Sequence, residues 1–247
     1  MSRRFLVPPE CWGDSSITLP ESELYHARRV LRLKEGDTVV VFDGKGCEAD
    51  AVIEVLRRNE GLLRMKGPAR HQPTNSFKVV LLQALPRGKK MDDIVEDATE
   101  LGADSVIPVV AKHSVSRPKP ERAIQQTERW RRRAAEAAKQ CGRASLPTVS
   151  TPTSLREALA LFPKSSLGLV ARVGAASERN LHKALAGSIP SQVWLAVGPE
   201  GGWSPDEADQ LIEAGFTAVS LGPRILRTET AGPALLTLVG HTWGDLG

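Results

Sequence analysis

Apolar and polar residues alternate with a period of two early in the chain. The run TVVVF at 38–42 is followed by the turn Asp43, Gly44, Lys45, Gly46. A second run at 48–56 then sets Ala49, Ala51, Ile53 and Val55 against Glu48, Asp50 and Glu54. Alternation on both sides of a glycine-containing turn predicts a β-hairpin. Ahead of it, residues 22–33 read as a short helix, with Leu24 and His26 near its start and Arg28, Arg29 and Arg32 on its exposed surface. Residues 66–76 collect Gly67, Pro68, Pro73, Thr74, Asn75 and Ser76, the composition of a connection. A small β-rich domain is therefore expected over 1–72 and a second domain over 73–247.

From Phe77 onward strands and helices alternate, which predicts an α/β domain with a largely parallel sheet. Strands are expected at 78–85, 105–110, 167–171, 193–197 and 217–221. Met91, Ile94, Val95, Ala98 and Leu101 recur at helical spacing, and Gly102 closes that helix. A longer helix over 121–141 places Ile124, Thr127, Trp130, Ala134, Ala137, Ala138 and Cys141 on one stripe. Ser204, Pro205, Asp206 and Glu207 form a strong helix start, with a serine cap, a proline in the first turn and a glutamate set to complete a capping box. The last helix is expected over 230–241.

Composition narrows the function classes. The chain has 247 residues, 41% hydrophobic and 25% charged, enough apolar material for a sizeable core. No apolar run is long enough to span a bilayer, and the opening MSRRFLVPPE lacks the form of a secretion signal, so a soluble cytoplasmic protein is expected. Cys11, Cys47 and Cys141 are far apart and the five histidines are scattered, so neither a disulfide framework nor a bound metal is expected. The net charge of +4 is unevenly spread: residues 112–144 hold ten Lys and Arg against three Asp and Glu. Such a segment is either a docking face for a polyanion or a solvated basic helix.

The candidate chemistry lies at two junctions. Neither GxGxxG after a strand nor GxxxxGK[ST] occurs, which disfavours the common nucleotide sites. Instead the strand at 193–197 runs into Gly198, Pro199, Glu200, Gly201, Gly202 and Trp203 and then into the capped helix. Open α/β sheets bind ligands at such strand-to-helix junctions, where glycines let a ligand approach the backbone. The second junction, Leu221 to Ala231, sets Arg224, Arg227, Glu229, Thr228 and Thr230 around Ile225 and Leu226. It is suited to wrapping an adenosine-like ligand, or else Arg227 and Glu229 simply form an ion pair.

GPEGGW and LGPRILRTETA, preceded by ATELGADSVIPV and ERW…EAAKQCGR, with RRFLVP and HARRVLRLKEGD near the start and WGDLG at the end, resemble the ribosomal RNA small subunit methyltransferase E family. The resemblance spans nearly the whole chain. It implies a SPOUT methyltransferase domain whose parallel sheet carries a trefoil knot, a small N-terminal β-barrel PUA-like domain, and a homodimer. The implied reaction is methylation of N3 of one uridine in 16S ribosomal RNA, with S-adenosylmethionine as donor. The implied cofactor residues are Val170, Gly198, Pro199, Glu200, Gly201, Leu221, Gly222, Ile225, Leu226 and Thr230. Arg227, Glu200 and Arg143 are the implied catalytic group, with Glu200 as a possible base and the arginines stabilising an anion; the base itself stays open. Gln140 and Arg143 would approach the target nucleotide, while Arg3, Arg4, His26, Arg29, Arg32, Arg87 and Lys90 would meet RNA. Asp97 departs from the family pattern, which often has lysine there, so Arg87 and Lys90 gain weight as RNA contacts. Two rivals stand beside this reading: a related enzyme acting on another base, and a ribosome-assembly factor without turnover.

Overall fold

The computed structural model describes residues 3–172, 181–244 and 246; Asp245 and Gly247 of the WGDLG motif lie outside them. The chain divides into two compact units, Met1–Thr74 with Ala135–Leu146, and Asn75–Ala134 with Pro147–Gly247.

The first unit is built on a six-stranded sheet. Its strands are β1 (Arg4–Leu6), β2 (Ser16–Thr18), β3 (Thr38–Phe42), β4 (Cys47–Leu56), β5 (Gly61–Met65) and β6 (Arg70–His71). They run in the order β1-β3-β4-β5-β2, with β6 paired to β4. The expected hairpin is present, antiparallel from Thr38 opposite Val52 to Phe42 opposite Glu48. Ala49, Ala51 and Ile53 face a core shared with Phe5, Ile17, Val39, Val41 and Leu63, as the period of two requires. A register shift between Ile53 and Val55 ends the strict alternation. The expected helix at 22–33 is shorter: α1 (Glu21–Tyr25) passes into a π-helical turn over His26–Val30. Arg32, with φ of 51°, stops it.

Glu48 reverses its expected exposure. It is buried, and its carboxylate accepts from Arg4 Nη2 at 2.9 Å, Arg70 Nε at 3.1 Å and Gln72 Nε2 at 2.9 Å. Arg4 is buried with it, and its guanidinium lies 5.1 Å from the Phe42 ring centroid. Arg4, expected as an RNA contact, is engaged in this internal pair, as a buried charge must be. The connection at 66–76 contributes β6 and the Gln72 side chain to the same network.

The second unit carries a six-stranded, wholly parallel sheet: β7 (Lys78–Ala84), β8 (Ser105–Val109), β9 (Thr148–Val149), β10 (Leu167–Ala171), β11 (Gln192–Val197) and β12 (Phe216–Val219), in the order β12-β10-β11-β7-β8-β9. Its helices are α2 (Lys90–Glu100), α3 (Pro120–Cys141), α4 (Leu155–Ala160), α5 (Leu181–Ala184), α6 (Pro205–Glu213) and α7 (Thr228–Trp243). From Ala135 onward α3 counts with the first unit. Its buried stripe runs through Ala123, Thr127, Trp130, Ala134, Ala137 and Ala138, while Ile124 is exposed. Steps of three and four residues from Trp130 lead back to Ala123, one position from the isoleucine.

Candidate active site

Four adjacent parallel strands, β12, β10, β11 and β7, end along one edge of the sheet. Ligands bind outside the carboxyl ends of such strands, and the segments following β11 and β12 carry most of the residues expected to hold the cofactor. Val170, buried near the end of β10, belongs to the same edge.

The connection after β11 folds back on itself. A Cβ on Gly198 would stand 3.1 Å from the Trp203 nitrogen and 3.3 Å from the Gly202 carbonyl carbon, so no side chain fits without moving backbone. The Gly202 N–H donates to the Pro199 carbonyl at 2.8 Å and closes the turn. His113 Nδ1 lies 3.1 Å from the carbonyls of both Gly201 and Gly202. Both carbonyls only accept, so Nδ1 bears the hydrogen. The expected capping box opens α6: Ser204 and Glu207 exchange side-chain and backbone bonds, and the second Glu207 oxygen accepts from the Lys112 N–H at 2.7 Å.

Glu200 is held by its neighbours. Its carboxylate accepts from the Arg87 N–H at 3.1 Å and from Lys90 Nζ at 3.0 Å. Partial burial works against the charged form, but hydrogen bonds from its own backbone N–H, Lys90 and the Arg87 N–H outweigh it, and the carboxyl is held below the usual range. A carboxylate so stabilised is a weak base. Lys90 also reaches Glu229 at 3.2 Å, and its own pKa is raised, first by the hydrogen bond to Glu200 and then by that to Glu229. Lys90, expected on RNA, is thus engaged between a carboxylate on the connection after β11 and one in the first turn of α7.

The ion pair considered for Arg227 and Glu229 takes another form. Glu229 bonds Lys90, and Arg227 acts on it through space, lowering its pKa after burial, its own backbone N–H and Lys90 have had their effect. Arg227 is exposed and makes no side-chain cap at the start of α7. Gly222 has φ of +103°, a conformation that favours glycine, and Ile225 is 76% exposed beside the half-buried Leu226. Thr230, expected as the first residue of the last helix, is its third, because Thr228 already starts it. The Thr228 hydroxyl donates to the Gly198 carbonyl at 2.7 Å and accepts from Gln83 Nε2 at 2.9 Å.

Lys90, Glu200 and Glu229 set a pH dependence. Both carboxyls sit below their ordinary value of 4.5, so their contribution is complete above it and is lost as pH falls through the depressed values. Lys90→Met removes their shared partner. The thermal midpoint of the unaltered protein is expected to fall more steeply on acidification below 4.5 than that of Lys90→Met, as scanning calorimetry across that range would show.

The remaining expected residues lie in the first unit. Arg3 is exposed and pairs with Asp37 at 3.1 Å. His26 is half-buried with its ring edge-on to Phe5, and Arg29 and Arg32 are exposed. Arg143 donates to Ser145 Oγ at 3.0 Å, and Gln140 is exposed at the end of α3. The basic segment is partly neutralised: Arg129 pairs with Asp92, Arg131 with Glu128, Arg133 with Glu96, Lys139 with Glu23 and Glu136, and Lys112 with Asp206. Burial and the neighbouring charges of Asp93 and Glu96 raise the pKa of Asp97. Among the described residues, no helix is long and apolar enough to cross a membrane, and no group of three or more His, Cys, Asp and Glu is arranged to hold a metal.

Comparison with known proteins supplies the family. A model of an RNA methyltransferase domain matches residues 73–240, and one of an RNA methyltransferase PUA domain matches 19–65. The ribosomal RNA small subunit methyltransferase E of Synechocystis is 33% identical, covering 97% of this chain and 77% of its own length. The chain belongs to the ribosomal RNA small subunit methyltransferase E family. The family member of Mycobacterium bovis is 36% identical over 88% of this chain and 83% of its own. A crystal structure of the Neisseria gonorrhoeae family member, bound to S-adenosyl methionine, matches with a TM-score of 0.89 at 30% identity over the whole of both chains. A Legionella pneumophila protein crystallised with the same cofactor matches with a TM-score of 0.87 at 26% identity, over 98% of each chain.

Proposed function

We propose that this chain transfers a methyl group from S-adenosylmethionine to N3 of one uridine in 16S ribosomal RNA within the small subunit, as a homodimer in the cytoplasm. The observation that carries the reading is the gathering of the Gly198–Gly201 and Leu221–Thr230 connections at the carboxyl edge of four adjacent parallel strands, in a chain of this family. In its finer form the fold is a SPOUT methyltransferase domain over 73–247 with a trefoil knot, and a PUA-like β-barrel over 1–72 that binds RNA.

The residues present fit the cofactor. Gly222, with nothing near the place a Cβ would take, leaves backbone accessible, Ile225 offers an exposed apolar surface next to the half-buried Leu226, and Val170 is apolar at the end of β10. Apolar walls with a few backbone donors and acceptors are what an adenosine group needs. Leu221, Pro199, Gly201 and Thr230 complete the cradle. When bound, S-adenosylmethionine supplies a methyl group on a positively charged sulfur.

Uridine N3 carries a proton and becomes a nucleophile as that proton leaves. Arg227, exposed and acting on Glu229 only through space, offers a guanidinium to the anion that develops over N3 and its flanking carbonyl oxygens. Glu200, held by Lys90 and the Arg87 N–H, keeps its loop in place, and the proton leaving N3 passes to water. Arg143 and Gln140 hold the target nucleotide, with Arg143 drawn from the partner subunit. Arg3, His26, Arg29, Arg32 and Arg87 meet phosphates and fix register without reading sequence.

The test is mass spectrometry of small-subunit ribosomal RNA from a strain lacking the protein, before and after treatment with the purified chain and S-adenosylmethionine. Appearance of a single 3-methyluridine is expected. A methyl group on another base would move the reading to the related-enzyme rival, and no change on naked RNA or isolated subunits would favour the assembly factor.

A further inference from the structure

Gln83 is the one polar residue in the otherwise apolar run of β7 after Lys78, and it is wholly shielded from solvent. Its Nε2 donates to the Ala84 carbonyl at 2.9 Å and to Thr228 Oγ1 at 2.9 Å. Thr228, itself buried, passes its own hydrogen to the Gly198 carbonyl at 2.7 Å. Every hydrogen on the two side chains is used, and the orientation of the amide follows, since a flipped Gln83 would set its oxygen against the Ala84 carbonyl. Three connections therefore meet at one buried relay: the exit of β7, the exit of β11 and the start of α7.

The relay carries an internal cost. Gln83 Oε1 is buried without a hydrogen-bond partner among the described residues. The two donors, by contrast, are both engaged, one on the backbone of its own strand exit and one on Thr228, so the amide's bonded side is the one turned toward the two loops. Buried polar groups kept at a cost cluster where geometry must be held for function.

We infer that Gln83 is a positioning residue for the donor site, acting through Thr228 to set the Gly198 carbonyl, and with it the glycine loop, against the Leu221–Arg227 loop that leads into α7. The inference rests on the reading of those loops as the S-adenosylmethionine site. Lys90 joins the glycine loop to the first turn of α7 nearer the surface, through Glu200 and Glu229. The buried relay is made of uncharged groups, so its effect does not depend on pH.

Three variants of the full chain test it, by calorimetric titration with S-adenosylmethionine, thermal midpoint, and steady-state kinetics on RNA. Thr228→Val keeps the shape and loses the hydroxyl; Gln83→Met keeps the length and loses both donors; Thr228→Ser restores the hydroxyl. Donor dissociation constants are expected to rise about tenfold or more in Thr228→Val and Gln83→Met, the loss of one well-placed hydrogen bond or slightly more. Thr228→Ser is expected to stay within about threefold of the parent, a difference below one hydrogen bond. KM for the donor rises while kcat at saturating donor stays near the parent value, and the midpoint of Gln83→Met does not fall. Unchanged donor affinity in Thr228→Val and Gln83→Met would overturn the inference, and so would a midpoint that falls in step with affinity, which marks a purely structural relay. Failure of the unsubstituted chain to bind S-adenosylmethionine would overturn the site assignment and the inference together, and it shows before any substitution is made.

Discussion

Replacing Arg227 by alanine is expected to lower kcat for uridine methylation by about 10²–10³-fold, the usual effect of removing one group that stabilises a developing anion. Donor affinity should change by no more than about threefold, because the residue meets its own loop and helix through its backbone. Arg227 is extended at the entrance of α7, with φ of −66° and ψ of 156°, and its carbonyl accepts from the Thr230 and Ala231 N–H groups. Those bonds survive in alanine. The guanidinium caps nothing and acts on Glu229 only through space, which leaves its N–H groups available to a ligand. Arg227→Lys should recover only part of the rate, since a point charge does not match a charge spread over N3 and two oxygens. Single-turnover kinetics at saturating donor and RNA separate the chemical step from binding. A kcat at the parent level in Arg227→Ala would move anion stabilisation to another residue.

Glu48→Ala is expected to destabilise the first unit by about 3–5 kcal/mol, the range for removing one partner of a buried ion pair. Arg4 and Glu48 are 8% and 7% exposed, so the alanine variant strands a guanidinium that water does not reach. Arg4 Nε already has no hydrogen-bond partner among the described residues. Arg70 is half exposed, and its arm of the network contributes little. The double variant Arg4→Met with Glu48→Ala should regain much of the loss, because stranding the charge, not missing the attraction, dominates the cost. Urea unfolding followed by circular dichroism measures both variants. A loss under about 1 kcal/mol in Glu48→Ala would show that the pair is hydrated, as surface pairs are.

The parallel sheet was legible because its strands are short apolar runs separated by helical periodicity, and the hairpin because two alternating segments flank a glycine turn. The capping box of α6 was readable for the same reason: its partners lie three residues apart. Features that depend on distant partners were not. Glu48 and Arg4 lie 44 residues apart, and nothing local distinguishes a buried glutamate in an alternating strand from an exposed one. Gln83 did carry a signal, as a lone amide in VVLLQALP, where a buried strand otherwise tolerates no polar group. Its meaning needed Thr228, 145 residues away. The family motifs marked the two loops of the candidate site, but the links of Lys90 to Glu200 and Glu229 came only with the fold.

The first unit is discontinuous in sequence, and this bears on how it is made. Residues 1–74 leave the ribosome first, yet the buried partner of Glu23 is Lys139, and Gln72 bonds the Gly142 carbonyl and the Ala144 N–H. Until those residues have been synthesised, a buried carboxylate and an amide lack their partners. The N-terminal strands can pair early, but the unit cannot close around its last groups until about 70 further residues have emerged, from residue 75 to Ala144. Its completion during translation therefore follows synthesis of β7, α2, β8 and α3. The N-terminal module is first in the chain but not first to be finished.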